Sequence, residues 1–569
     1  MNNYYIIYYF INQNSRMCKQ IIDEIKEEKI DISSILEKAG RYQAWMYLLL
    51  CLPAIFVSML SVNFVFVAGH VNHRCRVSEC EGTDSTFLPT WWPSSEIDSC
   101  SSPILNESLV GLDPVCTNTS FTDRVEICTD WVYENNDTIV ADLNLGCQPW
   151  KVNFIGTAHG IGMIIAMLGS GFMCDRIGRK PTLIICAVGC TLGNLKIIAK
   201  SYNVYVFLEF LEGAISTGGY TSASVLLTEN SNAKTRILAG VVFAYAIYMG
   251  EALFAVIAMH VPNWKNLLLI ICTPSALFLS YTVLLKESPR WQIINGKIKD
   301  AKETLKTIAR VNKLKIDAKE IDDVTEDELR KVFNLNKKNE TEGFKEMFRS
   351  REILKRLVAG ITWRLAASFI YYSLVINSVL LPGDKYTVFL LTALTSFPGE
   401  LISMYLMNKI GRRKPLMIGF LVCGVTCVGS AYVPEEYRWM KIGLFLFGKL
   451  VVSACYTGTV VYTMELFPTS VRGSCVSLCT LASCAGSMLA PLTPALTVIS
   501  PTFSSYCFAF IAMLASALLI ITPETKGTPL LDTIYQLKLS VQKAKELKKA
   551  TEPKATDTQV PETNAVNPA

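Results

Sequence analysis

The sequence predicts an all-α membrane protein of twelve transmembrane helices, arranged as two pseudo-symmetric six-helix halves with a cysteine-rich extracellular loop. Three observations carry that reading. Only 18% of the 569 residues are charged while 51% are hydrophobic, against about 25% charged in a typical soluble domain. Twelve apolar runs approach the ~20 residues needed to cross bilayer hydrocarbon. Short charged motifs recur in the same order in both halves of the chain.

The runs are roughly 45–69, 152–174, 181–200, 203–226, 237–261, 265–285, 354–380, 386–408, 415–433, 439–462, 473–499 and 502–522. They are continuous, as in TLIICAVGCTLGNLKIIA. A barrel strand would instead alternate apolar and polar residues over ~10 positions. The first apolar stretch, YYIIYYFI, is too short to span and is followed by a charged segment with no small-residue cleavage site, so no cleavable signal peptide is expected. Residues 1–44 are expected to be a cytosolic segment ahead of the first half, 45–285. A net charge of +5 with no clustered basic face gives no reason to expect a nucleic-acid partner.

Two long polar inserts set the topology. Residues 70–151 hold six cysteines (Cys75, Cys80, Cys100, Cys116, Cys128, Cys147) and sequons at Asn106, Asn118 and Asn136. That combination indicates an oxidising compartment and a glycosylated, disulfide-bonded domain. Six cysteines allow 15 pairings, and sequence does not choose among them. Residues 286–353 are lysine-rich and cysteine-free, with a pattern of short amphipathic helices in AKETLKTIARVNKL. The basic loops DRIGRK and KIGRRK lie on the same side of the membrane as this linker, and positive loops favour the cytoplasm. The expected topology therefore has both termini in, 70–151 out and 286–353 in. A fourth sequon, Asn339, falls inside and is expected to stay unmodified. The second half spans 354–522, and residues 523–569 are expected to be a cytosolic, largely disordered tail.

The repeat is read from three offsets. Arg176-Ile-Gly178-Arg179 matches Lys409-Ile-Gly411-Arg412 (409 − 176 = 233), Glu229-x6-Arg236 matches Glu465-x6-Arg472 (465 − 229 = 236), and Glu287 matches Glu524 (524 − 287 = 237). These charges, with Asp175 and Arg290 in the flanking motifs, sit at the inner ends of neighbouring helices. There they can pair when the inner face is shut and part when it opens, helped by helix N-termini that favour carboxylates. The bland alternative is that they only signal topology.

The ordered motifs resemble the organic cation/anion/zwitterion (carnitine-type) transporters of the major facilitator superfamily, over roughly residues 31–530. They are DISSILEKAGRYQ, HRC at 73–75, CTDWVYE in the cysteine-rich loop, GSGFMCDRIGRKP, KESPRWQIINGK, MELFPTSVRG and PET at 523–525. The resemblance implies secondary or facilitative carriage of a small organic ion across the plasma membrane by alternating access, with the site between the halves near the midplane. It also implies three departures. The position two residues before Gly486, where relatives often carry an ionic residue, is Cys484; Glu209 and Arg364 stand where the family usually has Arg and Trp. Where anion-carrying relatives tend to have lysine after Pro-Ala, this chain has Pro398-Gly399-Glu400.

Ionisable residues inside spans are costly and mark function by default. They are Glu209, Glu212, Glu251, Arg364, Glu400 and Lys449, with His159. Four carboxylates against two cations predict an acidic cavity that favours cations or zwitterions, with Glu400 the main substrate contact. Tyr371, Tyr372, Tyr456 and Tyr462 could offer ring faces to an ammonium group. The competing reading is an internal Glu400–Arg364 ion pair. An enzyme is not expected, because HExxH, a partnered GxSxG, a P-loop and a metal-spaced Cys/His set are all missing from the sequence; no cofactor is expected either. A receptor gives the repeated motifs no role, and the two-half symmetry favours alternating access over a channel; the alternative within the family is an organic anion transporter.

Overall fold

The computed structural model describes residues 40–78, 80, 81, 86–92, 99–105, 116, 117, 120–231, 236–314, 318–333, 348–497, 500, 502–527, 534–539 and 542. Among the described residues, eleven helical stretches are long and apolar enough to cross a membrane. In order they are Arg41–Val67 (span 1), Pro149–Ile177 (2), Arg179–Ile198 (3), Leu238–His260 (5), Trp264–Leu284 (6), Arg351–Leu380 (7), Lys385–Lys409 (8), Arg413–Tyr432 (9), Arg438–Leu466 (10), Ser470–Leu496 (11) and Phe503–Ile521 (12). The expected fourth span is two helices, Tyr202–Ser216 and Gly218–Glu229. They join at Thr217, whose backbone stays helical (φ −64, ψ −25), so the pair continues one course. Their polar load, Glu209 and Glu212, is fully buried against spans 2 and 3.

Glycines let these helices approach closely, as small residues do inside a bilayer where apolar burial alone drives little association. A Cβ on Gly162 of span 2 would lie 2.4 Å from the Phe210 carbonyl oxygen, and one on Gly213 of span 4 would lie 2.6 Å from that of His159. Spans 2 and 4 therefore touch backbone to backbone. Gly399 of span 8 packs the same way against Leu450 of span 10, with a Cβ 2.9 Å from its oxygen.

Between spans 1 and 2 lie two small antiparallel sheets. Strand β1 (His73–Cys75) pairs with β4 (Trp131–Tyr133), and β2 (Ser101–Leu105) pairs with β3 (Phe121–Ile127). The six cysteines close as Cys75–Cys128, Cys80–Cys116 and Cys100–Cys147. Arg74 of the HRC motif is structural: buried, it pairs with Glu81, donates to the Thr86 and Phe87 carbonyls, and lies over Trp92 (4.9 Å). Asn136 is exposed; Asn106, Asn118 and Asn339 lie outside the described residues.

The linker forms the expected amphipathic helices. Helix Ile298–Val311 buries Ala301, Leu305 and Ile308 in one core with Tyr42 and Met46 of span 1. Asn312, just beyond it, accepts from the Tyr42 amide and donates to Gln43. The tail departs from expectation over a short stretch: residues 534–539 are helical, with Ile534 and Leu537 buried.

Candidate functional site

Three groups of charge emerge: a buried one between the halves, a buried one inside the first half, and a half-buried one at the ends of the helices opposite the disulfide-bonded insert.

Between the halves, each carboxylate is held by a tyrosine from the other half. Tyr248 of span 5 donates to Glu400 of span 8 at 3.2 Å, and Tyr371 of span 7 donates to Glu251 of span 5 at 3.4 Å. Thr457 of span 10 is a second donor to Glu400. The Lys449 ammonium rests 3.0 Å from the centre of the Tyr371 ring and bonds Ser396 and Ser453. The Arg364 guanidinium lies over Tyr456 at 5.2 Å and reaches Thr459. Tyr371 packs against both Tyr372 and Tyr456, so Arg364, Lys449 and Glu251 border one aromatic cluster. Cys484 is buried on span 11 within electrostatic range of Arg364. The expected alternative, a Glu400–Arg364 ion pair, is not formed, and no cation stands within ion-pair distance of Glu400 among the described residues. Glu400 is nonetheless only 4% exposed.

Inside the first half, Lys196 of span 3 bridges Glu209 at 2.8 Å and Glu212 at 2.6 Å, and all three are 0% exposed. His159 Nδ1 lies 3.3 Å from the free oxygen of Glu209. Glu209 is thus not brought to Glu400 but tied into its own half, because Lys196 is the nearer cation. Lys196 is the buried charge that sequence reading missed. It stands in the run TLIICAVGCTLGNLKIIA, and a lysine inside an otherwise apolar span was the available signal. Its presence changes the sign count: two of the four carboxylates are withdrawn from the interface, leaving Glu251 and Glu400 there against Arg364 and Lys449.

The repeated motifs converge in each half. Glu287 accepts from the backbone amides of Arg179 (3.2 Å) and Lys180 (3.1 Å), and Glu524 from those of Arg412 (2.8 Å) and Arg413 (3.0 Å). Each carboxylate caps the start of a span, where free N–H groups and the helix dipole favour it. Gly178 (φ +112) and Gly411 (φ +130) supply the left-handed backbone, and a Cβ on either would lie 2.3 or 2.8 Å from the capping carboxylate. Arg179 then pairs with Glu229 (3.1 Å) and Asp175 (3.2 Å), and Arg412 grips Glu465 by two nitrogens (3.0 and 2.9 Å). This differs from the expected Glu-x6-Arg pairing. Arg472 donates to the Phe467 carbonyl instead, and the Arg236 side chain lies outside the described residues. These contacts join elements of one half, so the charges staple each half rather than bridge the two. Arg176 lies over Phe172 at 4.8 Å, and Arg290 is exposed.

A family model for sugar (and other) transporters matches residues 150–535. The chain belongs to this family. It is 28% identical over 532 residues to solute carrier family 22 member 2 of Rattus norvegicus, covering 88% of this chain and 94% of that protein. Organic cation transporter 1 of Caenorhabditis elegans is 27% identical over 89% of this chain and 88% of its own length. Both support a place among the organic cation/anion/zwitterion transporters of the major facilitator superfamily. The fold is that of the inward-open xylose transporter XylE from E. coli (TM-score 0.57, 16% identity, 86% of this chain and 98% of that one). The chain is thus a small-molecule transporter and not an enzyme.

Proposed function

We propose that this transporter carries small organic cations or zwitterions across the plasma membrane, with Glu400 as the substrate's charge partner, both termini cytosolic and the disulfide-bonded insert outside. The observation that carries the reading is Glu400 itself: a buried carboxylate at the joint of the halves that, among the described residues, bonds hydroxyls of Tyr248 and Thr457 and faces no cation. A carboxylate at such depth is expensive without a positive partner, and an ammonium group supplies one. Tyr245, Tyr248 and Phe397 lie against one another beside it, with ring centres 5.0 to 6.4 Å apart. They offer ring faces worth about 0.5–2 kcal/mol to a desolvated cation. Arg364, also without a carboxylate partner among the described residues, is placed to take the acid group of a zwitterion. The names of the organic cation relatives support the same class.

The test is uptake of labelled tetraethylammonium, a trimethylammonium carboxylate and a simple dicarboxylate by cells expressing the full chain. Glu400→Gln removes a charge-assisted contact of about 1.5–3 kcal/mol, so the apparent affinity for both ammonium probes should fall about tenfold or more. Arg364→Gln should weaken only the zwitterion. A surface-expressed Glu400→Gln protein with unchanged affinity, or robust dicarboxylate uptake by wild type, would refute the proposal.

A further inference from the structure

The cluster inside the first half carries one charge too many. Glu209 and Glu212 contribute two negative charges, Lys196 one positive, and the three are completely buried. With a neutral imidazole at His159 the sum is −1, enclosed by protein at membrane depth, where an uncompensated charge is strongly disfavoured. The titratable groups facing the cluster add no cation: Tyr205 on span 4, Cys190 on span 3 and Cys272 on span 6.

Two further observations say what would balance it. First, His159 Nδ1 and Glu209 Oε1 are 3.3 Å apart, both buried, and neither has a hydrogen-bond partner among the described residues. A neutral imidazole with its proton on Nδ1 can already donate to Glu209; a further proton on Nε2, also buried without a partner among the described residues, makes the imidazolium and brings the cluster to zero. A metal ion is not favoured, because the Lys196 ammonium already occupies the position between the two carboxylates. Second, the residue stands at the interface, with both ring nitrogens closed off from solvent in this state. His159 lines a cavity between the halves together with Tyr372 of span 7 and Ser487 of span 11. The adjacent Gly160 is pressed against Met488 of the second half, where a Cβ would lie 2.7 Å from its Cα. The histidine thus stands where one half moves against the other, and the lysine-bound carboxylates lie behind it.

We propose that His159, Glu209, Glu212 and Lys196 form a one-proton site, loaded through the cavity between the halves, and that carriage of the substrate is coupled to that proton. The proton comes from water on whichever side the cavity opens. It is held on the His159 imidazole, beside Glu209, and is released on the other side when the halves rock. This goes beyond the substrate class assigned to Glu400, and it stands or falls separately.

The experiment is pH-difference infrared spectroscopy of the purified full chain in bilayers, with no substrate present. Wild type should show an acid-induced protonation signal that His159→Asn and Glu209→Gln both lose. Lys196→Met takes the cluster to −2 and should move that transition to higher pH. Lys196→Met/Glu212→Gln restores −1, so it should return the transition toward wild type and also recover any folding lost in the single variant. In vesicles, a proton gradient of one orientation should speed tetraethylammonium uptake and the opposite gradient slow it, and His159→Asn should respond to neither. If tetraethylammonium is not carried at all, the substrate assignment fails while the infrared arm still decides the proton. Identical difference spectra in wild type and both single variants would overturn the proposal. So would an unmoved transition in Lys196→Met, or a thermal shift with Na+ or Zn2+ that His159→Asn abolishes.

Discussion

The Arg412–Glu465 contact can be tested as a staple within the second half. It comprises two charge-assisted bonds, Nε to Oε2 at 3.0 Å and a terminal nitrogen to Oε1 at 2.9 Å. The side chains retain 18% and 25% of their exposure, so solvent screens them only in part. Exposed ion pairs contribute about 0.2–1 kcal/mol, and hydrogen bonds to charged groups about 1.5–3 kcal/mol. This pair falls between, at about 1–2 kcal/mol, or about a factor of 5–30 in a folded-to-unfolded ratio. The assay is a double-mutant cycle on the denaturation of purified protein, using Arg412→Gln, Glu465→Gln and the double variant. Arg412→Gln alone should cost more than Glu465→Gln alone, since Arg412 also donates to the Met407 carbonyl at 2.8 Å. A parallel cycle of Glu465→Gln with Arg472→Gln should be additive, because Arg472 is occupied with Phe467. Additivity of the Arg412–Glu465 cycle within about 0.3–0.5 kcal/mol, or clear coupling to Arg472, would refute the staple. The second result would restore the Glu-x6-Arg latch.

The two helix-capping carboxylates should respond to acid in opposite ways. Burial pushes the Glu287 carboxyl up despite amides from Ser288, Lys180 and Arg179. At Glu524 burial is outweighed by amides of Arg412, Lys526, Arg413 and Thr525, and the carboxyl is held below its usual range. By linkage, Glu524 stabilises above the unfolded carboxylate range and loses that contribution as pH falls through its own lower value; Glu287 contributes below that range and loses it as pH rises. Melting curves across this window should show Glu524→Gln destabilised at neutral pH and converging on wild type in acid. Wild type should gain on Glu287→Gln as pH falls, and parallel curves would contradict both. On the proposed outside face, glycosidase should shift the gel mobility of wild type but not of a variant lacking Asn106, Asn118 and Asn136. A shift that depends on Asn339 would invert the topology.

The helices and the repeat were legible in the sequence because each rests on local chemistry: apolar length for a span, and a left-handed glycine plus a carboxylate for each helix start. What was not legible is which of several nearby charges pair. Glu465 has Arg412 and Arg472 at the same end of the second half. The choice falls to Arg412 because Gly411 turns the chain so that its guanidinium meets the carboxylate, a matter of backbone direction that spacing does not encode. Disulfide pairing was open for the same reason: Cys100 lies opposite Cys128 across β2 and β3 yet bonds Cys147, while Cys128 bonds Cys75 on β1. Lys196 was lost in a different way, since one charge barely lowers the mean hydropathy of a long apolar run.

That single lysine reorganises the reading of the interior. Without it, four carboxylates and two cations make one acidic cavity. With it, the excess negative charge belongs to the cluster of the first half, and the interface is neutral in sum but not in pairing. Glu251 and Lys449 meet at Tyr371, while Glu400 and Arg364 each stand apart from any opposite charge. A closed Glu400–Arg364 bridge would tie spans 7 and 8 of the second half together and leave nothing for a ligand to supply. Held separately by hydroxyls and an aromatic face, the two charges stay desolvated and available, so a ligand's ammonium group contributes most where the transporter lacks a partner of its own. Under the proposed role of Glu400, a zwitterion would meet both groups, its ammonium at Glu400 and its acid at Arg364, whereas a bare cation would meet only the first.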